Sequence, residues 1–253
     1  MNGMIMKDDV RYDHLEKFLI RYGHSFDVAK TPDFIIFPFK DATDYGDDFF
    51  AGLKKGTPIF SGIRKSELAA KCEKYGLAYY PMIEEPSVAI RNAVPTSEGV
   101  IAYLISNRNA TVFGSRILVI GYGTCGRDLC KRLKALGAQV FALVRSGERE
   151  ADAHTDGVVP VYMQGLFEST AFDVIVNTVP AQILSHDTLR QTAGALLIDI
   201  ASGPFGFDVE FAKTLNEKSA ALLGIPGKFA SKTAGEILGE YVNFVLGCGR
   251  DET

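Results

Sequence analysis

The segment Gly121-Tyr122-Gly123-Thr124-Cys125-Gly126 follows the apolar run Ile117 to Ile120 and precedes a helical pattern, which gives the order strand, glycine turn, helix. Each glycine has its own physical use. Gly121 suits a tight turn, Gly123 lets backbone approach a pyrophosphate, and Gly126 lets the helix pack against its strand. The pyrophosphate then lies at the positive end of that helix, so these residues, with Thr124 and Cys125, are expected to bind a dinucleotide. The following strand, Gln139 to Val144, selects which one. A free ribose 2′-hydroxyl calls for Asp or Glu about 20 residues past the turn, whereas this chain offers Arg145 and Ser146, with Arg149 close behind. A guanidinium and a hydroxyl suit a 2′-phosphate that a carboxylate would repel. The pattern predicts NADP rather than NAD.

Polar groups recur at the ends of two later strands. Asn177-Thr178-Val179-Pro180 follows a fully apolar strand and falls where ribose and nicotinamide would lie, although a helix cap accounts for Asn177 or Thr178 equally well. The stretch from Asp199 to Pro204, with Ala201 and Ser202, has the same placement; its glycine admits backbone to the nicotinamide face or simply makes a turn. From Gly224 to Gly235, Lys228 and Lys232 stand among small residues ahead of a helix start. They form an anion site or are solvated surface charges. Between Arg91 and Gly99, capping explains Thr96 or Ser97 but has no use for Asn92. The histidines at 14, 24, 154 and 186 are scattered, and G-x-S-x-G and H-E-x-x-H patterns are missing, which removes serine hydrolase and zinc peptidase readings.

These groups need elements to hold them. Before the glycine turn, His14 to Tyr22 reads as a helix, Phe34 to Phe37 as a strand, Thr57 to Phe60 as a strand, Lys65 to Tyr75 as a helix and Ala78 to Tyr80 as a strand, an incomplete α/β layer. Pro95 marks a helix start, since proline is tolerated in the first turn, and Thr96 to Ser106 continues it. Beyond the turn, strands at Val158 to Val161, Val174 to Asn177, Leu196 to Asp199 and Ala220 to Leu223 alternate with helices. This alternation implies a parallel sheet covered on both faces. Thr233 to Val245 closes the chain as a helix with Thr233 as cap and Glu236 at capping-box spacing. The expected fold is α/β: a Rossmann-type doubly wound parallel sheet domain with a smaller N-terminal α/β domain. Its expected parts are 1–94 for substrate or partner, a connecting helix at 95–112, the NADP-binding domain at 113–232, and a C-terminal helix at 233–253 packing back between the domains.

With 253 residues and a net charge of −4, the chain shows no basic stripe that would support nucleic-acid binding. Cys72, Cys125, Cys130 and Cys248 have neither metal spacing nor a disulfide framework and read as reduced thiols. The opening, Met1 to Val10, carries Lys7, Asp8 and Asp9 and lacks an apolar core, so no signal peptide is expected, nor a membrane span. The expected location is cytoplasmic.

Taken jointly, Asn92 to Gly99, Ile117 to Gly123, Asn177 to Pro180, Asp199 to Ser202 and Gly224 to Gly235 resemble the A-type subunits of dipicolinate synthase, as do Asp9 to Tyr12 and Pro32 to Pro38. The resemblance covers nearly the whole chain. It departs where Phe205 stands in place of a common glycine, Ser231 in place of a common proline, and a glycine pair before the Asp-x-Arg segment is missing. It implies an NADP-linked conversion of a 4-hydroxy-tetrahydrodipicolinate to dipicolinate in the mother cell of a sporulating bacterium and, as partner, a flavoprotein-like B subunit. A cyclic dianion needs cations and amide donors, which Arg11, Asn92, Thr96 and Lys228 could supply together with Lys232. Glu98 and Lys232 are the candidates for moving protons, although Glu98 in a first helical turn also reads as a group complementing the helix dipole. A 2-hydroxyacid or shikimate-type dehydrogenase is the runner-up. The hydroxyacid version would want an arginine soon after Asp199, where this chain has Gly203-Pro204-Phe205. From another class, the chain could be an NADP-binding assembly protein without turnover of its own, and a homo-oligomer is open in every case.

Overall fold

The computed structural model describes residues 1–39, 45–164, 166–169, 171–192 and 194–247. Cys248 and the end of the expected 233–253 segment lie outside them. In chain order the elements are β1 (Gly3–Ile5), α1 (Arg11–Arg21), β2 (Phe34–Ile36), α2 (Asp47–Ala51), β3 (Pro58–Ser61), α3 (Ser66–Tyr75), β4 (Ala78–Pro81), a 3-10 turn (Met82–Glu84) and α4 (Pro86–Asn107). There follow β5 (Arg116–Ile120), α5 (Thr124–Ala135), β6 (Gln139–Leu143), α6 (Gly147–Thr155), β7 (Val159–Val161), α7 (Leu166–Ser169), β8 (Val174–Asn177), α8 (His186–Gln191), β9 (Leu196–Asp199), α9 (Val209–Leu215), β10 (Ala220–Ala221), α10 (Ile225–Phe229) and α11 (Ser231–Val245). Two compact units result: Met1–Asn92 with the segment from Pro226 onward, and Ala93–Ile225.

The first unit holds a parallel sheet in the order β1-β2-β3-β4. Phe34, Ile35 and Ile36 are all fully buried because both faces of β2 are covered. Phe34 and Ile36 meet Leu15 and Phe18 of α1 and Leu238 and Val242 of α11, while Ile35 meets Phe50, Leu68 and Cys72 of α2 and α3. Strand β1 had no expectation in the sequence. Its three residues are too few to show a period, and only its pairing with β2 makes it a strand.

Helix α11 lies against α1 through glycines. A Cβ at Gly235 would run into the Arg11 carbonyl oxygen and one at Gly239 would come within 2.7 Å of the Phe18 ring. Arg21 pairs with Glu236 at 3.0 Å, and buried His24 bonds Asn243 at 3.0 Å. Two sequence expectations change here. Thr233 is not the cap: the helix begins at Ser231, Ala230 is its N-cap without a side-chain bond, and Glu236 turns to Arg21. Lys228 and Lys232, expected within 113–232, belong to the first unit, because Gly227 packs onto Arg11 and Asp9 while α11 packs on α1.

The second unit holds a parallel sheet in the order β10-β9-β8-β5-β6-β7, so the strand order reverses between β5 and β8. Ile117 and Val119 face Leu129 and Leu133 of α5 and Val100 and Leu104 of α4; Leu118 and Ile120 face Ile175, Leu197, Leu189 and Ala212. The expected helix start at Pro95 is corrected. Helix α4 begins at Pro86, which takes the first-turn role, and Pro95 sits in its interior. Val88 and Ala93 are both buried in the turns ahead of it, so packing outweighs the one backbone bond that Pro95 denies Arg91. Among the described residues no helix is long and apolar enough to cross a membrane, and no His, Cys, Asp and Glu group could hold a metal.

Gly235→Ala is expected to cost about 1–3 kcal/mol in urea unfolding, because the new methyl meets backbone that cannot rotate away. Gly52→Ala, where a Cβ finds only ordinary contacts near 3.5 Å, is the control and should cost much less.

Candidate dinucleotide site

The turn between β5 and α5 separates the work of its three glycines. Gly121 has φ +95°, and a Cβ there would come within 2.6 Å of Val179 and 2.7 Å of Thr178. A Cβ at Gly126 would run into the Gly121 carbonyl oxygen. Gly123, the N-cap of α5, is exposed and has nothing within 4 Å of its Cβ position. Gly121 and Gly126 are therefore required by the packing, whereas Gly123 stands open to solvent. Thr124, Cys125 and Gly126 form the first turn of α5, which contains no acidic residue, so its backbone N–H groups face a potential anion without competition. The Cys125 thiol is half-buried, and burial pushes its pKa up, away from a reactive thiolate.

A cavity of about 860 Å³ opens over this turn in the second unit. Its walls bring together Gly121 and Gly123 from the turn, Arg145, Ser146 and Arg149 from the end of β6 and the start of α6, and Thr178, Val179 and Pro180 from the end of β8. This places the cavity beyond the carboxyl ends of parallel strands at the reversal of strand order, where ligands of such sheets bind. Ser146 caps α6, its hydroxyl oxygen accepting from Arg149 N at 3.4 Å. Arg149 Nη1 lies 3.0 Å from Asp152. Met163, Gln182 and Ile183 also line the cavity and were not anticipated; for the last two, extending the loop after β8 would have found them.

Asn177 does different work from the expected ligand contact. It is fully buried, donates to Val179 O at 2.9 Å and to Asp199 Oδ2 at 3.0 Å, and accepts from Val179 N. Asp199, also fully buried, accepts in addition from Ala201 N at 2.8 Å and Gly206 N at 2.6 Å. Burial raises the Asp199 pKa against the opposing pull of these donors. The pair ties the ends of neighbouring strands β8 and β9 to the loops that follow. Ala201 and Ser202 do not line the cavity; Ala201 is held by Asp199 instead.

The remaining candidates are not among the residues that line this cavity. Glu98 is exposed, midway along α4 rather than in a first turn, and pairs with Arg132 at 3.1 Å. Asn92 is half-buried and Thr96 buried, one helical turn apart on α4. In the first unit, Arg11 is buried in a bidentate pair with Asp9, at 2.8 Å for both bonds, and its guanidinium lies 3.8 Å above the Phe39 ring. Lys228 and Lys232 are exposed, in α10 and the first turn of α11.

The fold and the glycine cradle define a Rossmann-type dinucleotide-binding protein. The family model for the D-isomer specific 2-hydroxyacid dehydrogenase NAD binding domain matches residues 99–225, and the chain belongs to that family. Its domain indicates a nicotinamide cofactor, which the glycine turn and cavity fit. Among known proteins, the chain is 34% identical to the A-type subunit of dipicolinate synthase from Bacillus subtilis over 190 residues, 74% of this chain and 64% of the relative, so it spans a little under two thirds of that protein's length. The crystal structure of the same type of dipicolinate synthase polypeptide from Bacillus subtilis superimposes with a TM-score of 0.88 at 26% identity, covering 97% of this chain and 95% of that one. D-lactate dehydrogenase from Escherichia coli shares the fold, with a TM-score of 0.65 at 16% identity and 98% coverage of both chains.

Gly123→Ala should leave thermal unfolding unchanged yet weaken nicotinamide dinucleotide binding about tenfold, about 1.4 kcal/mol by calorimetric titration. Gly126→Ala should instead lower stability by about 1–3 kcal/mol. A pH effect follows from Asp156, whose side chain accepts from Arg127 Nε at 2.6 Å and Tyr122 Oη at 2.8 Å. The bond from Arg127, foremost, lowers its pKa from 3.8 to about 2. A carboxyl depressed in the folded state stabilises above its unfolded pKa and loses that contribution as pH falls through the folded value. Between pH 4 and pH 2 the native protein should lose about 1 kcal/mol that Asp156→Asn does not lose, allowing for solvent screening. Acid unfolding monitored by circular dichroism measures the difference.

Proposed function

We propose that the protein is an NADP-dependent oxidoreductase that converts 4-hydroxy-tetrahydrodipicolinate to dipicolinate, acting as the A-type subunit of a dipicolinate synthase with a flavoprotein-like B subunit, in the cytoplasm of a sporulating mother cell. The observation that carries the NADP reading is the wall made by Arg145, Ser146 and Arg149, with no carboxylate at the end of β6 where a free 2′-hydroxyl would want one. The substrate reading rests on the similarity to the Bacillus subtilis protein and, separately, on the resemblance of the sequence blocks that include Lys228 and Lys232.

In this reading the first turn of α5 and the open side of Gly123 hold the pyrophosphate, and Arg145 and Ser146 hold the 2′-phosphate. The bound cofactor supplies a hydride acceptor. Loss of water from the substrate, then of a hydride and a proton, leaves an aromatic pyridine ring, and aromaticity draws the reaction forward. Lys228 and Lys232 receive the carboxylates, since both are exposed cations without a carboxylate partner among the described residues. Asn92 and Thr96 supply donors. Arg11, compensated by Asp9, orders its loop more than it adds net charge. Lys232 is the better candidate for moving the proton, because Glu98 is committed to Arg132 on an exposed helix face. A hydroxyacid dehydrogenase would want an arginine soon after Asp199, and the Ala201-Ser202-Gly203 loop has none.

Mixing the purified chain with NADP and freshly generated hydroxy-tetrahydrodipicolinate should raise the ultraviolet absorbance of dipicolinate together with that of reduced nicotinamide. No product, even when the B subunit is present, overturns the reading. Lys232→Ala and Asn92→Ala should each reduce turnover by about tenfold or more. Normal turnover with weakened partner binding would favour an assembly role instead.

A further inference from the structure

Tyr122, between Gly121 and Gly123 of the turn, is only 3% exposed, and its phenol points away from the cavity's open glycine to the far end of α6. There Asp156, the C-cap of α6, collects Tyr122 Oη at 2.8 Å, Arg127 Nε at 2.6 Å and Lys131 Nζ at 3.4 Å, while its carbonyl accepts from Lys134 Nζ at 2.9 Å. Arg127 also reaches Asp152 at 3.5 Å, and Asp152 pairs with Arg149 at 3.0 Å. The contacts form one path, Arg149, Asp152, Arg127, Asp156, Tyr122, and both of its ends line the same cavity.

A surface decoration would not have this form. A buried phenol needs a partner for its O–H, and the one it has is a carboxylate already shared with the helix that follows the glycine turn. α5 contributes Arg127, Lys131 and Lys134, α6 contributes Asp152 and Asp156, and the turn contributes Tyr122. Charge-assisted bonds of this geometry are directional, so they fix the height of α6 along α5 as well as holding the two helices together.

We propose that Tyr122 and Asp156 are positioning residues that hold the pyrophosphate turn in register with the N-terminal end of α6, so that the two phosphate-bearing parts of a dinucleotide are bound as one unit. The role of the α6 end rests on the NADP reading given above; the role of the turn rests on the glycine cradle alone.

The test is calorimetric titration of NADP and NAD into the wild type, Tyr122→Phe, Arg149→Ala and the double variant, with thermal unfolding measured in parallel. Tyr122→Phe keeps the ring and removes one hydroxyl. It should weaken both dinucleotides about three- to tenfold, and for NADP the effect of Arg149→Ala should differ about threefold or more between the Tyr122 and Phe backgrounds. Asp156→Asn, if it remains folded, should match Tyr122→Phe in both affinities. Unchanged affinities in Tyr122→Phe, or strictly additive losses in the double variant, overturn the proposal. Tighter binding of NAD than NADP by the wild type overturns the 2′-phosphate reading and with it the coupling, whereas the loss of NAD affinity in Tyr122→Phe would stand as support for the register of the turn.

Discussion

The Gly121 carbonyl oxygen occupies the space in which any side chain at position 126 would place its first carbon. That contact sets how closely α5 approaches β5, and the approach decides where the first-turn N–H groups of α5 are aimed. Gly121 itself lies in the left-handed region, at φ +95°, where a side chain is strained regardless of its neighbours. With Val179 and Thr178 pressed against Gly121 from the next strand end, the turn is held from two sides and Gly123 alone is left open. The open approach to the first turn of α5 is thus a consequence of packing before any charged residue takes part.

The far wall depends on a buried acid. Putting Asp199 out of reach of water is costly, and its raised pKa records the cost. Three donors offset it: two backbone N–H groups of the loop after β9 and the Asn177 side chain. Because Asn177 in turn brackets Val179, the acid ends up shaping the loop that meets Gly121. Gly206 belongs to the same arrangement, since a side chain there would strike the Asn177 amide. Asn177 and Ala201, which the sequence offers as cofactor contacts, are tied here into the bonds that shape the loops after β8 and β9.

Where local pattern and tertiary packing agree, the sequence is readable. β8 and β9 fall where their apolar runs place them, and the packing role of Gly126 can be deduced from spacing because its steric demand, the Gly121 carbonyl oxygen, lies within a single strand-turn-helix unit. Local rules fail where distant packing overrides them. Pro95 looks like a helix start until Val88 and Ala93 are seen to be buried in the helical turns before it, and Thr233 looks like a cap until α11 is seen to begin at Ser231 and dock on α1. Asp156 gives no signal at all: its partners Tyr122 and Arg127 are 34 and 29 residues away, and only the folded chain brings them to it.

Charge balance at the α6 end bears on how a 2′-phosphate could be selected. The first turn of α6 carries Glu148 and Glu150 as well as Arg149, so it is not a simple cationic patch. Glu150 is occupied by Tyr162 Oη at 2.8 Å, and Arg149 lies between Asp152 at 3.0 Å and Glu148 at 3.9 Å. Exposed charges at such separations are screened and contribute little each. Any selection of a 2′-phosphate there would then rest on directed bonds from the groups lining that wall, Arg145 and Ser146 among them, rather than on net charge. Directed bonds are effective only if their donors hold position, and on an otherwise exposed helix end that position is set from the other end, where Asp156 fastens α6 to α5 and to the glycine turn.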